Sequence, residues 1–237
     1  MTQKKRVIVF FARDFLSKWF SDVGKNLEEF QRLYIVTSVE EELQVKKCDT
    51  KCIVYNLSSK KYLKPASIND SLLSYNRDRF LRWESKEVSS QSIWPCINIA
   101  NEIKSHYQVD IYVDEPVANF PNHYFNETFK LMGATILHFQ TSWVSGYGFF
   151  CSDASQLEKV KLNHISDGQE LMQKHIEKRN KGEGLPLYVF SYNKFYERFY
   201  DMVKIFLKGL IKKYSRKHRY YLQRSHGADF YHAKCLF

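Results

Sequence analysis

The phosphate-cradling loops of the common nucleotide folds are missing from this chain. No Gly-x-Gly-x-x-Gly follows the first apolar run, and no Gly-x-x-x-x-Gly-Lys-Ser/Thr occurs anywhere, which excludes the dinucleotide fingerprint and the P-loop. The 8 histidines include no His-Glu-x-x-His and no pairing with cysteine that marks a nucleophile. The five cysteines, Cys48, Cys52, Cys96, Cys151 and Cys235, are odd in number and scattered, a usage that fits reduced thiols rather than a disulfide framework. Cys48 and Cys52 have the spacing of half a metal site, but no second Cys/His pair completes it, so no metal is expected. Long apolar runs are also lacking. The opening MTQKKRVIVFFARDF imitates a signal peptide, but its apolar run ends at Arg13-Asp14, too short for an h-region. No stretch reaches the length that spans a bilayer, and a cytoplasmic protein is expected. There is no internal repeat and no low-complexity tract.

The chain has 237 residues, 44% of them apolar and 16% aromatic, with 16 Tyr and 18 Phe. That composition is globular and ample for a core. Rings at this density fill cores and also line sugar- and base-binding clefts. The charge is unevenly placed. Lys194 to Arg224 carries ten Lys/Arg against Glu197 and Asp201, or +8 of the formal +10. A nearly neutral domain is followed by a basic segment.

Val7 to Phe11 is an unbroken β-rich run, the pattern of a strand buried on both faces. Helical spacing follows at 14–20 and 23–30, with Asp14 as a candidate N-cap. Leu33 to Thr37 and Cys52 to Tyr55 read as two further strands, separated by a short helix from Glu40 to Lys46. The stretch from Ser58 to Trp83 is less regular. The pattern then predicts a helix from Ile93 to Tyr107 with Pro95 in its first turn and a strand from Val109 to Val113. A helix from Asn119 to Met132, ended by Gly133, and a strand from Thr135 to Phe139 complete the series. Alternating strands and helices predict an α/β fold with a Rossmann-like, mainly parallel sheet flanked by helices over residues 1–155. Residues 156–237 read as a helical extension, with helices at 166–178 and 193–221 and a linker at 182–186.

In open parallel sheets, ligands bind outside the carboxyl ends of the strands. Asp14 follows the first strand, Asp114-Glu115 end a later one, and a glycine-spaced aromatic loop from Ser142 to Phe150 follows the next. Acids there accept hydrogen bonds from sugar hydroxyls or deprotonate one during attack. Trp143, Tyr147, Phe149 and Phe150 offer faces on which a pyranose stacks. The same acids also serve as helix caps, Asp114 or Glu115 for the helix that follows, and His123 is equally a packed or surface residue.

The segment Asn76-Arg-Asp-Arg-Phe-Leu-Arg82 is one of several short motifs found in order. The others are the strand ending in Glu115, Asn119-Phe120 opening a helix, the Gly133-Ala134 step, and Ser-x-x-x-Gly before Phe149-Phe150 and Asp153. Over roughly residues 1–155 these features resemble the N-terminal half of bacterial surface and capsular polysaccharide biosynthesis proteins, which are glycosyltransferase-like with two Rossmann domains (the GT-B arrangement). One departure is that Trp143 and Tyr147 stand where that family often has arginines, exchanging an anion contact for ring stacking.

The resemblance implies an acceptor-binding domain in which Asp14 or Glu115 is the general base toward an acceptor hydroxyl. His123, Trp143 and Tyr147 would position the saccharide. Arg77 and Arg79, with Arg82, would meet phosphate of a donor or lipid carrier, or else pair with Asp78 and Glu84. The acceptor implied is a saccharide or lipid-linked saccharide. No cofactor is expected in this chain, because the family holds its nucleotide-sugar donor mainly in a C-terminal domain. Turnover is expected only with that domain or a partner subunit. The basic segment 194–224, whose stripe of Phe199, Met202, Phe206 and Leu210 runs beside its cations, is expected to rest peripherally on the inner membrane surface. Two other readings stay open: a glycan-binding scaffold without catalysis, and a basic nucleic-acid-binding protein, although no nucleic-acid motif accompanies the charge.

Overall fold

A computed structural model gives the fold. It describes residues 4–14, 16–59, 62–65, 86–116, 119–141 and 148–152, together with Asp78, Leu81 and isolated positions between 173 and 207. Six strands and four helices alternate in the order β1 (Lys5–Phe11), α1 (Leu16–Gly24), β2 (Gln31–Val36), α2 (Val39–Cys48), β3 (Ile53–Asn56), α3 (Lys86–His106), β4 (Tyr107–Asp114), α4 (Phe120–Leu131), β5 (Thr135–Thr141) and β6 (Gly148–Cys151). They form one sheet in the order β3-β2-β1-β4-β5-β6. The first five strands are parallel, and β6 runs antiparallel beside β5. This is a Rossmann-like α/β fold.

The unbroken apolar runs end up buried on both faces, as such strands require. Val7, Val9 and Phe11 of β1 point to one layer, with Leu33, Ile35 and the apolar sides of α3 and α4. Ile8, Phe10, Tyr34 and Val36 point to the other, with Leu16 and Phe20 of α1, Val45 of α2 and Phe139 of β5.

The chain starts at β1, steps outward to β3, and returns through α3 to β4 on the other side of β1. The boundary between β1 and β4 is therefore the topological switch point, the place outside the strand ends where open α/β sheets bind their ligands. Register fixes what meets there. Phe10 lies opposite Val113, so the residues just past each strand, Arg13 and Glu115, come side by side.

Several expectations are corrected. The segment 23–30 is not a second helix: α1 ends at Gly24, and 25–30 continue as turns, with Leu27 N–H donating to Gly24 O and Phe30 N–H to Leu27 O. Gly24 is needed because a Cβ there would lie 1.9 Å from the buried Tyr34 hydroxyl. Helix α3 begins at Lys86, so Pro95 lies in its interior rather than its first turn. Burial of Ile93, Cys96, Ile97, Ala100 and Ile103 along one side outweighs the local preference against proline. The glycine-spaced aromatic loop contributes a strand at its end, β6. There Gly148 lets Phe139 approach to within 2.2 Å of where a Cβ would stand.

Of the C-terminal helices read from the sequence, only isolated positions are described. Residues 173, 174, 176, 177 and 180 are helical, as are Val203 and Leu207, whose side chains are exposed. Lys181 is a turn residue whose N–H donates to Glu177 O at 3.1 Å, and the rest of 153–237 lies outside the described residues. Among those that are described, no helix is long and apolar enough to cross a membrane.

Candidate functional site

Arg13 joins the two acids singled out in the sequence. Its Nη2 donates to Glu115 Oε2 at 2.9 Å, and its Nη1 lies 3.4 Å from Asp14 Oδ2. The Arg13 side chain is 12% exposed, that of Glu115 29% and that of Asp14 68%, so a largely sunken cation carries one shielded and one open carboxylate. All three sit at the carboxyl edge of the sheet, over the switch point. Arg13 was not among the expected site residues. Its only local signal is that a charged pair, Arg-Asp, ends the first apolar run.

Asp14 does not cap α1. Its φ is +50°, outside the extended region an N-cap residue occupies, although aspartate is among the residues that tolerate the left-handed region. Its carbonyl accepts from Ser17 Oγ at 2.8 Å and Ser17 N–H at 3.3 Å. Its own N–H donates to Glu41 Oε1 at 2.8 Å. Glu41 is buried in the first turn of α2, and its Oε2 takes both the N–H of Thr37 at 2.7 Å and the Thr37 hydroxyl at 2.9 Å. Burial raises the Glu41 carboxyl above its ordinary value, and the three donors oppose that rise.

Neither Asp114 nor Glu115 caps α4. Asn119 does, its Oδ1 accepting from Asn122 N–H at 3.0 Å and its carbonyl from His123 N–H at 3.3 Å. Asp78 supplies the remaining acceptor. One of its oxygens takes Phe120 N–H at 2.5 Å and the other takes Leu81 N–H at 2.8 Å, which ties Asp78 and Leu81 to the start of α4.

Asp114 turns inward. Its carboxylate accepts from His138 Nδ1 on β5 and from Asn122 Nδ2 at 3.3 Å. His138 Nε2 faces Asn126 Nδ2 at 3.1 Å, so the amide donates there and the imidazole proton stays on Nδ1. Both partners are buried. Burial raises the Asp114 carboxyl, with the His138 contact opposing it. The dyad is a strut beneath the site: Asn122, which also donates to Glu115 O at 2.7 Å, links it to the backbone that carries Glu115.

His123 lies in the first turn of α4 with its side chain exposed, and it makes no hydrogen bond or ion pair with Asp14, Arg13 or Glu115. Trp143, Tyr147, Arg77 and Arg79 lie outside the described residues, as do Arg82 and Glu84, so of the expected ion pairs Asp78 is the one described member. Phe150 is not an open platform: it packs edge-on against Phe139, which stacks on Trp19 of α1 at 4.2 Å. No group of three or more His, Cys, Asp or Glu that could hold a metal ion occurs among the described residues. Comparisons with protein-family models, with curated proteins and with solved structures return no match to this chain.

The arrangement offers acceptor oxygens on either side of a guanidinium at the carboxyl edge of the sheet, over the switch point. Such a set recognises a polar ligand through several hydrogen bonds at once. A carboxylate held by arginine is a hydrogen-bond acceptor first. Asp14, the more open and more distantly paired of the two, is the better placed to take a proton.

Proposed function

We propose that this domain binds the acceptor in a glycosyl transfer, a saccharide or lipid-linked saccharide used in building cell-surface polysaccharide. The observation that carries the reading is the meeting of Asp14 and Glu115 across Arg13 at the switch point, where parallel α/β sheets hold their ligands. Sugar hydroxyls both donate and accept, and the trio supplies both complements. Asp14 takes the proton of the attacking hydroxyl, Glu115 holds a neighbouring hydroxyl, and Arg13 sets the distance between them. His123, Trp143, Tyr147, Arg77 and Arg79 belong to the same reading as outer contacts of the sugar and its carrier. The nucleotide-sugar donor is held elsewhere, by a further domain or a partner. The cations of 194–224 keep the domain near an anionic leaflet.

A second reading, glycan binding without catalysis, is favoured by one feature. Both carboxylates lean on Arg13, which leaves neither as a free base.

Binding is tested by titrating the 15N-labelled chain with a panel of bacterial surface oligosaccharides. Asp14→Asn and Glu115→Gln are expected to weaken binding roughly tenfold each, the loss of about one charge-assisted hydrogen bond. A panel in which no saccharide moves the Asp14 or Glu115 amides would refute the reading. Asp14→Asn retaining turnover in the presence of a donor-binding partner would favour a different base.

A further inference from the structure

Dinucleotide-binding α/β folds place a ligand's phosphates at the first strand-to-helix turn, against free backbone N–H groups at a helix start. In this chain a carboxylate of the protein occupies that role. In the β1–α1 turn, Asp14 N–H points to Glu41, while Leu16 and Ser17 N–H are closed onto Arg13 O and Asp14 O. Across the switch point α4 is filled in the same way. Phe120 N–H goes to Asp78, Asn122 and His123 N–H go to Asn119, and Pro121 has no N–H. Both helix starts flanking the switch point have these donors committed before any ligand arrives.

Glu41 does more than fill a place. Its two oxygens hold two different loops, Asp14 after β1 and Thr37 after β2. Its own N–H is fixed by Ser38 Oγ at 3.1 Å, so the backbone bearing the carboxylate is anchored by the helix cap. Asp14 is the one non-glycine residue with positive φ among the described residues. A backbone in that region persists where surrounding contacts hold it, and the contact to its N–H is Glu41. With φ fixed there, the Asp14 side chain stands out of the turn beside Arg13.

We propose that Glu41 is the positioning residue of the switch-point site, clamping Asp14 in its left-handed conformation and closing the β1–α1 turn to phosphate, so that the site selects hydroxyl groups over phosphoryl groups. The choice of a hydroxyl ligand rests on the acceptor reading above, whereas the clamp and the exclusion of phosphate stand without it. A phosphate approaching the turn finds the Asp14 donor taken and meets the carboxylates of Glu41, Asp14 and Glu115 around Arg13. A neutral polyol meets no such repulsion.

The test uses amide NMR and hydrogen exchange on the full chain, comparing wild type with Glu41→Gln and Glu41→Asp. Glutamine keeps the reach but presents a donor toward Thr37 N–H; aspartate keeps the charge but is one methylene short of spanning both loops. In Glu41→Asp the Asp14 amide should shift upfield and exchange roughly tenfold faster, as for loss of one hydrogen bond to a charged group; in Glu41→Gln, where a neutral oxygen replaces the carboxylate, both changes should run the same way and be smaller. Val9 and Leu33 amides should keep their protection, which separates release of the clamp from unfolding. In the wild type, whatever the variants do, the Asp14 and Thr37 amides should have one titration step in common, that of Glu41. Millimolar inorganic phosphate or uridine diphosphate should leave both amides unmoved.

Unchanged Asp14 exchange in both variants, or no titration step common to the two amides, would overturn the clamp. Phosphate or uridine diphosphate shifting the Asp14 amide of the wild type would overturn the exclusion. These readouts contain no sugar. A chain that passes them yet binds no saccharide refutes the acceptor reading alone.

Discussion

Removing the Asp49 carboxylate is expected to destabilise the fold more than any surface change, for reasons set by its surroundings. Arg32 of β2 and Asp49, the residue after α2, form a two-pronged ion pair with Nε–Oδ2 at 2.8 Å and Nη2–Oδ1 at 2.9 Å. The side chains are 6% and 2% exposed, so solvent screens the pair little. In Asp49→Ala the guanidinium keeps only two neutral acceptors, Leu27 O and Phe30 O, each 3.2 Å from Nη1. The Tyr34 hydroxyl loses its acceptor at 3.1 Å and falls back on Phe20 O at 3.5 Å. Lys51 N–H loses Oδ1 at 3.2 Å.

Breaking one partner of a buried pair typically costs about 3–5 kcal/mol, against a total domain stability on the order of 5–15 kcal/mol. Urea unfolding followed by tryptophan fluorescence and circular dichroism measures the loss. The double replacement Arg32→Met/Asp49→Leu removes both charges and should lie within about 1 kcal/mol of wild type, or above it.

The pH dependence has a definite sign. Burial pushes the Asp49 carboxyl up, but the Arg32 hydrogen bond and charge, with the Lys51 N–H and Tyr34 hydroxyl bonds, outweigh it and hold the group below its ordinary value. The contribution is therefore complete above the unfolded value of about 3.9 and disappears as pH falls through the folded one. Wild-type and Asp49→Ala stabilities should converge in acid. A cost below about 1 kcal/mol at neutral pH would refute the claim that the pair is desolvated.

Two further outcomes follow from local geometry. Gly24→Ala places a methyl group 1.9 Å from Tyr34 Oη and should cost about 1–3 kcal/mol by overpacking. Gly24→Ala/Tyr34→Phe should cost less than the two single changes added together, because the nearest clashing atom is gone, and thermal denaturation of the four proteins decides it. Burial, with Asp49 nearby, pushes the Cys52 thiol up to about 11, so its alkylation in the native chain should be slow at pH 8 and still accelerating at pH 10. Mass spectrometry of iodoacetamide-treated protein reads this, and a plateau below pH 9 would contradict it.

Local pattern determined a good deal of this protein. Five of the six strands lie in apolar runs such as Val7 to Phe11, whose two-sided burial follows from the lack of alternation. Helix α4 and its limits are written in Asn119 and Gly133, an N-cap and a left-handed C-terminal turn that act within a few residues of themselves. The direction of the sheet follows as well, because alternating strands and helices leave a parallel arrangement as the compact solution. The placement of Asp14 and Glu115 at one sheet edge could be read from their positions just after or at the ends of strands.

Other features were decided only by packing. Helix α3 runs through Pro95 because five buried side chains along it outweigh one local breaker. Strand β6 exists because an edge was available beside β5. The site itself depends on pairs far apart in the chain: Arg13 with Glu115 across 102 residues, Phe120 with Asp78 across 42, and Asp14 with Glu41 across 27. Periodicity and caps report interactions within a turn or two of chain. Which strand lies beside which is settled by register and by the burial of whole faces, so the guanidinium between the two acids, and the carboxylate that clamps one of them, appear only when the sheet is assembled.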